Sequence, residues 1–365
     1  MSKANAAFIV IGLDSGGIEN YLLRFLNEYH EKFDSIFVYC KGGQGGQLEN
    51  EFLQIPNLKI IKSKIGYLDY TGLKKLRNFY NKKRIDIVCD FTGNFSGLTF
   101  FTAKRAGVNK RVAFYRSSTN RFKSDVFRNT YNKCMNLLVD QYATDILSNS
   151  KTALDNYFPK SWATNDRFEV IYNGVNADLF LAQKDNLRTQ LKIPKDAFVI
   201  GHTGRYNPAK NHETILKVAE ILIKKYNDIY FIMCGNGVKN NLNVEIENRC
   251  LSKRVFLFEN RRDIPLFLNT MDCYFFPSIT EGQPNALIEA MIMGLPYVAS
   301  NINPIRETTI NSKNLFAPYD VQSFSQALEN IYRTRPGRDA KLQQLAIKKF
   351  DSEKMFKLFY NRLTS

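Results

Sequence analysis

The stretch from Asp272 to Ser300, DCYFFPSITEGQPNALIEAMIMGLPYVAS, limits what this chain can fold into more than any other. Cys273 to Phe276 is a short apolar run stopped by Pro277, which fits a strand buried on both faces of a parallel sheet. Pro284 suits the first turn of a helix, where its missing N–H costs nothing. Ala286, Leu287, Ala290 and Met291 then repeat at helical spacing until Gly294. Pro296 to Ala299 reads as the next buried strand. The unit is strand, polar loop, helix, strand, with Glu281 in the loop and Glu289 in the helix.

Such a unit points to a ligand. The helix starting near Pro284 is expected to direct the backbone N–H groups of Asn285 and Ala286, and its dipole, towards an anion beyond the strand ends, where open α/β sheets bind their ligands. Two carboxylates beside that site would repel an anion, so they are better used as acceptors for the hydroxyls of two polyols. Taken alone, they are equally well a loop acid and a solvated helix position.

The surrounding residues decide between these readings. The stretch resembles the retaining family-4 glycosyltransferases, whose signature is Glu-x7-Glu within a segment like PSxxEGxPNxLxEAMxxGLPVxAS. Pro277, Ser278, Glu281, Gly282, Pro284, Asn285, Leu287, Glu289, Ala290, Met291, Gly294, Leu295, Pro296, Ala299 and Ser300 match it. Gln283 departs from it, standing where a large apolar residue is usual. The resemblance implies an α/β chain of GT-B type, two Rossmann-like domains facing a central cleft. The boundaries are set at 1–180 for an acceptor-binding domain and 181–350 for a nucleotide-sugar-binding domain. A C-terminal helix over 351–365 is expected to cross back to the first domain, with Met355, Phe356, Phe359 and Tyr360 on one side.

Composition bounds the alternatives. A chain of 365 residues with 44% hydrophobic content can bury two cores. No apolar run approaches the roughly 20 residues of a membrane span. Ala6 to Leu13 is apolar but runs into Asp14 and two glycines, so it reads as a first strand and not as a signal peptide. The six cysteines are far apart and mostly inside apolar runs, which suits buried free thiols in a reducing cytoplasm.

Charge is unevenly spread. The formal net charge is +16, and between Lys59 and Lys133 there are 18 Lys or Arg against 4 acids. These cations alternate with Tyr67, Tyr70, Phe79, Tyr80, Phe95, Phe100, Phe101, Phe114, Tyr115, Phe122 and Phe127. A basic surface bearing aromatics suits an anionic leaflet or a nucleic acid, and it is also what a solvated basic face looks like. No nucleic-acid module accompanies it, so nucleic acid is not expected as a partner.

The first half reads as Rossmann-like. Phe8 to Leu13, Ile36 to Cys40, Ile85 to Asp90, Arg111 to Tyr115, Ile146 to Ser150 and Val170 to Asn176 are expected strands, and Ile18 to His30 an amphipathic helix. Gly16 and Gly17 permit positive φ and a close approach at a strand-to-helix turn. GGIE is similar to the GGxE of the same transferases, whose loop faces the donor phosphates and the acceptor. GNFSG, with Asn94, is a candidate cleft loop. Many relatives carry a histidine at the end of the strand that here reads RVAFYRSS; His30, His202 and His212 all lie elsewhere, and Arg116 takes its place. An Arg cannot act as a base, although it can hold a phosphate or a sugar oxygen.

The second half opens with FVIGHTGRYNPAKNHETIL. Phe198 to Thr203 is an expected strand, Gly204 starts the turn, and Asn211 is expected to cap a helix from His212. Arg205 and Lys210 converge where anions bind, and GR-x4-KN matches the diphosphate-binding pair of the transferases. ENRRDIPLFL, containing Arg262, resembles the segment that reads the base, and Phe180 with the polar run after it reads as the linker.

The resemblance thus implies Arg205, Lys210 and Glu281 as catalytic residues. It implies Gly16, Gly17, Gly204, Arg262, Gly282, Gln283, Pro284, Asn285, Ala286 and Glu289 as donor-binding residues, with Asn94 and Arg116 on the acceptor or sugar side. The implied partners are a nucleotide-sugar donor, UDP-sugar favoured, a saccharide or polyprenyl-linked acceptor, and an anionic membrane surface. No Asp-x-Asp or histidine cluster adjoins these strands, so no metal and no cofactor is expected. The implied place is the cytoplasm, peripheral at the inner face of the cell membrane. The missing histidine keeps a second reading open: a catalytically weak relative that binds a sugar nucleotide or stabilises a partner transferase.

Overall fold

The computed structural model describes residues 3–116 and 126–365, the side chains of 126–129 excepted. Phe122, Phe127 and the cations between Arg116 and Lys133 lie outside that description. The chain divides into two compact units, residues 1–173 with 354–365, and residues 174–353.

The first unit holds a seven-stranded sheet: β1 Ala4–Val10, β2 Phe33–Cys40, β3 Leu58–Lys62, β4 Ile87–Asp90, β5 Lys110–Tyr115, β6 Asp145–Ser148 and β7 Phe168–Val170. All neighbours pair in parallel, in the order β3-β2-β1-β4-β5-β6-β7. β4 and β6 are buried along their whole length, as expected where helices cover both faces of a parallel sheet. The order reverses between β1 and β4, so the loops after these strands flank the crevice that this topology reserves for ligands.

The second unit repeats the plan with β8 Phe198–Thr203, β9 Ile229–Cys234, β10 Val255–Phe258, β11 Cys273–Phe276, β12 Tyr297–Ser300 and β13 Leu315–Phe316, in the order β10-β9-β8-β11-β12-β13. Here the reversal falls between β8 and β11. The loops carrying Arg205, Lys210 and Glu281 follow those two strands.

Several expected bounds shift, each for a local reason. β1 begins at Ala4 and ends at Val10; Ile11 is already 54% exposed, and Leu13 donates to Gly45 O (3.0 Å) in a neighbouring loop. β3 and β13 were not expected. β3 is an edge strand with Lys59 and Lys62 turned to solvent, and β13 has two residues, so neither carries a long apolar run. The strand expected over Val170 to Asn176 ends at Val170, because Val175 donates to Phe350 O (2.9 Å) and pairs with the returning chain at Asp351.

The division between units falls at Asn173 and Gly174, not at 180 and 181. The run read as a linker folds onto the second unit: Leu187 is buried and donates to Thr270 Oγ1 (2.9 Å), and Arg188 pairs with Asp272 (2.5 Å).

The last helix, Ser352–Thr364, belongs to the first unit from Lys354 onwards. Met355, Phe356, Phe359 and Leu363 are buried in that unit's core, with the Phe359 ring 4.6 Å from Phe25 and 5.1 Å from Phe114. Each fully buried side chain of this kind contributes about 1.5–3 kcal/mol, enough to hold a 13-residue helix that would be marginal alone.

Candidate active site

In the second unit, the loop after β8 is shaped by its own polar side chains. Asn207 Oδ1 accepts from Lys210 N (3.2 Å) across the short turn Pro208–Lys210. Asn211 follows in the left-handed region, φ 56°, and its side chain makes no cap to the helix His212–Lys225 through the backbone. Its amide instead donates to Pro277 O (3.0 Å) and Pro318 O (2.7 Å). The expected cap is therefore a clamp: Asn211 fixes the β8 loop to the end of β11, and a bond from Ile279 N to Ala209 O (2.8 Å) adds a second tie.

That clamp brings two expected catalytic residues into contact. Lys210 Nζ lies 2.6 Å from Glu281 Oε1 and 4.7 Å from the centre of the Phe276 ring, with both side chains mostly buried. Arg205 is exposed on the same loop. Gly204 lies against Gly235, where a side chain would collide with the Gly204 carbonyl, so the β8 and β9 loops approach at backbone contact.

The helix after β11 runs Asn285–Ile292 with Pro284 as its N-cap, one residue earlier than the helical position expected for it. The N–H of Asn285 is not available to a ligand, since it donates to Gln283 O (3.1 Å). That leaves the N–H of Ala286 of the two expected. Gln283 is buried beside them, and Gly282 is partly exposed in the loop. The helix closes on Gly294, φ 68°, where Leu295 N reaches Ala290 O (3.0 Å) and Gly294 N reaches Met291 O (2.9 Å). Glu289 and Glu281 both lie close to the buried Tyr274: burial pushes that phenol up first, and the two carboxylates push it further.

Two histidines sit under the β8 loop. His202 and His212 are buried with ring centroids 5.2 Å apart, and His202 Nδ1 is 3.0 Å from Phe275 O. Burial, and then nearby positive charge, hold both below the usual imidazole range, His212 at about 4. They are neutral packing groups at pH 7. Arg262 is exposed in the loop after β10. Glu259, which sequence reasoning passed over, accepts from Gly237 N (2.7 Å) and Asn240 N (2.9 Å), filling the N-terminus of the helix Val238–Asn248. The anion site after β9 is thereby occupied by the chain itself.

In the first unit, Gly16 is the extended N-cap of the helix Gly17–Tyr29, and neither Gly16 nor Gly17 has positive φ. A Cβ at Gly16 would collide with the Glu19 carboxylate, whereas Gly17 has open space around it. Gly16 is thus explained by the acid folding back over the helix start.

Arg116 follows β5 with its guanidinium stacked 3.7 Å above the Tyr21 ring, and its Nη2 donates to Asn173 Oδ1 (2.5 Å). Burial draws its pKa down to about 10, so it keeps its charge at neutral pH. Arg116 and Asn94 line one cavity of about 630 Å³ at the β1/β4 reversal, together with Phe91, Phe95, Tyr115 and Tyr131. Gly16 and Gly17 are not among its walls.

A second residue missed in the sequence is Lys41. It is 7% exposed, reaches from the end of β2 across β1, and donates to Thr92 Oγ1 (2.8 Å) and Phe95 O (2.6 Å). Asp90, fully buried at the end of β4, lies 4.0 Å from it and accepts from Thr92 N (2.7 Å) and Thr92 Oγ1 (2.6 Å). The available signal was KGGQGG, four glycines within six residues directly after a strand.

Two parallel-sheet units, each with its strand order reversed between two neighbouring strands, have the architecture of a GT-B α/β protein. Residues 15–179 match the family described as Glycosyltransferase Family 4, and residues 183–349 match Glycosyl transferases group 1. The chain belongs to these glycosyltransferases. It is 28% identical over 304 residues to the capsular polysaccharide biosynthesis glycosyltransferase CapH of Staphylococcus aureus, covering 80% of this chain and 79% of CapH. It is 32% identical over 174 residues to an Escherichia coli UDP-Gal:alpha-D-GlcNAc-diphosphoundecaprenol alpha-1,3-galactosyltransferase, covering 45% of each chain. The crystal structure of Anabaena HepE in complex with UDP superposes with a TM-score of 0.81 at 19% identity over 99% of both chains, a likeness of fold.

Proposed function

We propose that the chain is a retaining, metal-independent glycosyltransferase that moves a sugar from a UDP-sugar to a saccharide or polyprenyl-linked acceptor in bacterial surface-polysaccharide synthesis, working at the inner face of the membrane. The observation that carries this reading is the convergence of Lys210 and Glu281 from two different strand ends at the β8/β11 reversal. The names of the relatives supply the rest: a capsular enzyme, a galactosyltransferase using UDP-Gal on a diphosphoundecaprenol acceptor, and a neighbour in fold crystallised with UDP.

In this reading the diphosphate lies beside Arg205, Lys210 and the Ala286 N–H, which stabilise the charge that develops as it leaves. Glu281 accepts a hydroxyl of the sugar and Glu289 a hydroxyl of the ribose. The bond from the anomeric carbon to the diphosphate oxygen breaks, and the acceptor oxygen bonds to the same face of that carbon. The acceptor's proton passes to the departing diphosphate oxygen. No base from the protein is needed, which agrees with an Arg at position 116.

The test is an assay of the purified chain with UDP-, GDP- and ADP-sugars, with and without lipid-linked acceptor, reading the product anomer by NMR. Transfer from a UDP-sugar with retained configuration, unchanged by a chelator, is the expected result. An inverted product overturns the retaining mechanism, and loss of turnover on chelation overturns metal independence. Saturable UDP-sugar binding without transfer or hydrolysis favours a catalytically weak relative.

A further inference from the structure

The cavity of the first unit shares a wall with an exposed apolar edge. Residues 64–67 line it, and Tyr67 is both a wall and 60% exposed, so it stands at the mouth. Its ring packs edge-on at 5.5 Å from Phe95 and 5.3 Å from Tyr131, and Tyr131 Oη donates to the Tyr67 carbonyl (3.1 Å). Beyond the mouth the chain turns outward: Leu68 is 74% exposed and Tyr70 is 78% exposed. Three large side chains within four residues are thus left to solvent on one turn.

The helix that follows, Tyr70–Lys83, carries no acid. Its buried side is Gly72, Leu76 and Tyr80, so Tyr70, Lys74 and Arg77, spaced at i, i+4 and i+7, share the opposite stripe. Among the described residues, Asp69 stands directly before this helix. It is turned back to cap the helix, accepting from Gly72 N (2.9 Å) and Thr71 Oγ1 (2.8 Å), and the first of these bonds chiefly holds its pKa below the usual carboxylate range. An apolar tip with tyrosines beside it and a row of cations behind it is the composition that settles in a headgroup layer: leucine and rings inserted shallowly, ammonium and guanidinium groups among phosphates.

We propose that residues 67–70 insert into an anionic phospholipid leaflet, so that the cavity whose mouth Tyr67 forms opens at the membrane surface. The proposal rests on the membrane-bound glycosyltransferase reading above and adds to it a point of insertion. An acceptor held in the leaflet by its lipid then reaches the cavity without leaving the bilayer.

Salt separates insertion from charge attraction. At about 0.5 M salt the Debye length falls to about 4 Å, so what remains bound is held by apolar contact. Leu68 and Tyr70 do not line the cavity and are mostly exposed, so L68S/Y70S is expected to retain the fold, checked by an unchanged melting temperature. Phosphatidylethanolamine vesicles containing phosphatidylglycerol are the probe. The expected result is that L68S/Y70S binds them more weakly than the wild type at low salt and still at least about tenfold more weakly at ~0.5 M salt, where little charge attraction remains. Transfer to a lipid-linked acceptor in those vesicles falls by a similar factor, while donor hydrolysis stays at the wild-type rate. Equal binding of the two proteins at high salt overturns the insertion, as does a change in oligomeric state in place of a change in vesicle binding. Absence of wild-type binding at every salt concentration overturns the membrane reading with it. Absence of both transfer and donor hydrolysis in the wild type is the separate failure of the transferase reading.

Discussion

Lys210 Nζ lies 2.6 Å from Glu281 Oε1, joining the loop after β8 to the loop after β11. The residue expected to receive a diphosphate therefore already holds a carboxylate, whereas Arg205, five residues earlier, is exposed. The two cations should respond differently to removal. Arg205→Ala is expected to lower kcat/KM by about 10²-fold, the range for a lost transition-state charge partner, with no change in melting temperature. Lys210→Ala should lose as much activity and also about 1–3 kcal/mol of stability, because Glu281 is left with a lost charged partner in a mostly buried site. Kinetics and denaturant unfolding on both variants check this; equal stability loss in the two removes the distinction.

The same ion pair sharpens the division of labour between the carboxylates. Glu281→Ala releases Lys210, so binding of free UDP is expected to hold or tighten while the preference for UDP-sugar over UDP disappears. Glu289→Ala should weaken both ligands alike, by about tenfold, as a charge-assisted hydrogen bond to the ribose is lost. Titration calorimetry with the two ligands distinguishes the cases. Parallel losses in both variants would contradict these roles.

His202 and His212 make stability depend on pH. Both are held below the usual imidazole value by burial first, His212 at about 4. Between pH 6.5 and 4 the unfolded chain therefore binds a proton at His212 that the folded chain does not. Stability rises with pH across that window and is lost as pH falls through it. The loss from His212 alone amounts to about 3 kcal/mol by pH 4. Urea unfolding at pH 7 and pH 4.5 should show most of it, and His212→Phe should flatten the slope. A flat profile in the wild type refutes the assignment.

How much of this was legible follows from the kind of signal each residue leaves. Cys273 to Phe276 and the helix of Ala286, Leu287, Ala290 and Met291 announce themselves through apolar runs and periodicity, and β8 and β11 fall where the sequence puts them. Edge strands such as β3 lack that pattern, since one side meets water. The site was less legible because its contacts are long in sequence. Lys41 meets Thr92 across 51 residues and Lys210 meets Glu281 across 71, and a single Lys after a strand looks like any solvated one. Glu259 reads as a loop acid until the fold sets it over Gly237. Arg116 was legible as a substitution for histidine, but its stacking on Tyr21 and its bond to Asn173 depend on the fold.

Lys41 is a test of that hidden layer. Lys41→Met keeps the apolar stem but takes away the ammonium 4.0 Å from Asp90, which is 0% exposed. A loss of about 3–5 kcal/mol is expected, the range for breaking a buried pair from one side. Thr92→Val removes one acceptor of Lys41 and one donor to Asp90 and should lose less, about 1–3 kcal/mol. Lys41→Met with wild-type stability in denaturant unfolding would show that the pair is not a structural support.

The basic helix Tyr70–Lys83 gives the last prediction. Lys74, Lys75, Arg77 and Lys82 are exposed, but Lys83 is half-buried with its ammonium 5.9 Å from the centre of the Phe37 ring. Four cations near an anionic leaflet contribute about 1 kcal/mol each, so K74E/K75E/R77E/K82E should weaken binding to phosphatidylglycerol-containing vesicles at low salt by about 10²- to 10³-fold. Its melting temperature should match the wild type, because none of the four supports the core. Adding Lys83→Glu should cost a further ~0.5–1 kcal/mol of stability, through lost contact with Phe37. Sedimentation with vesicles and thermal unfolding of the two variants report the two effects separately. If the fourfold variant still sediments with anionic vesicles, or if neutral vesicles bind the wild type equally well, the charge of this helix is not what holds the protein to a membrane.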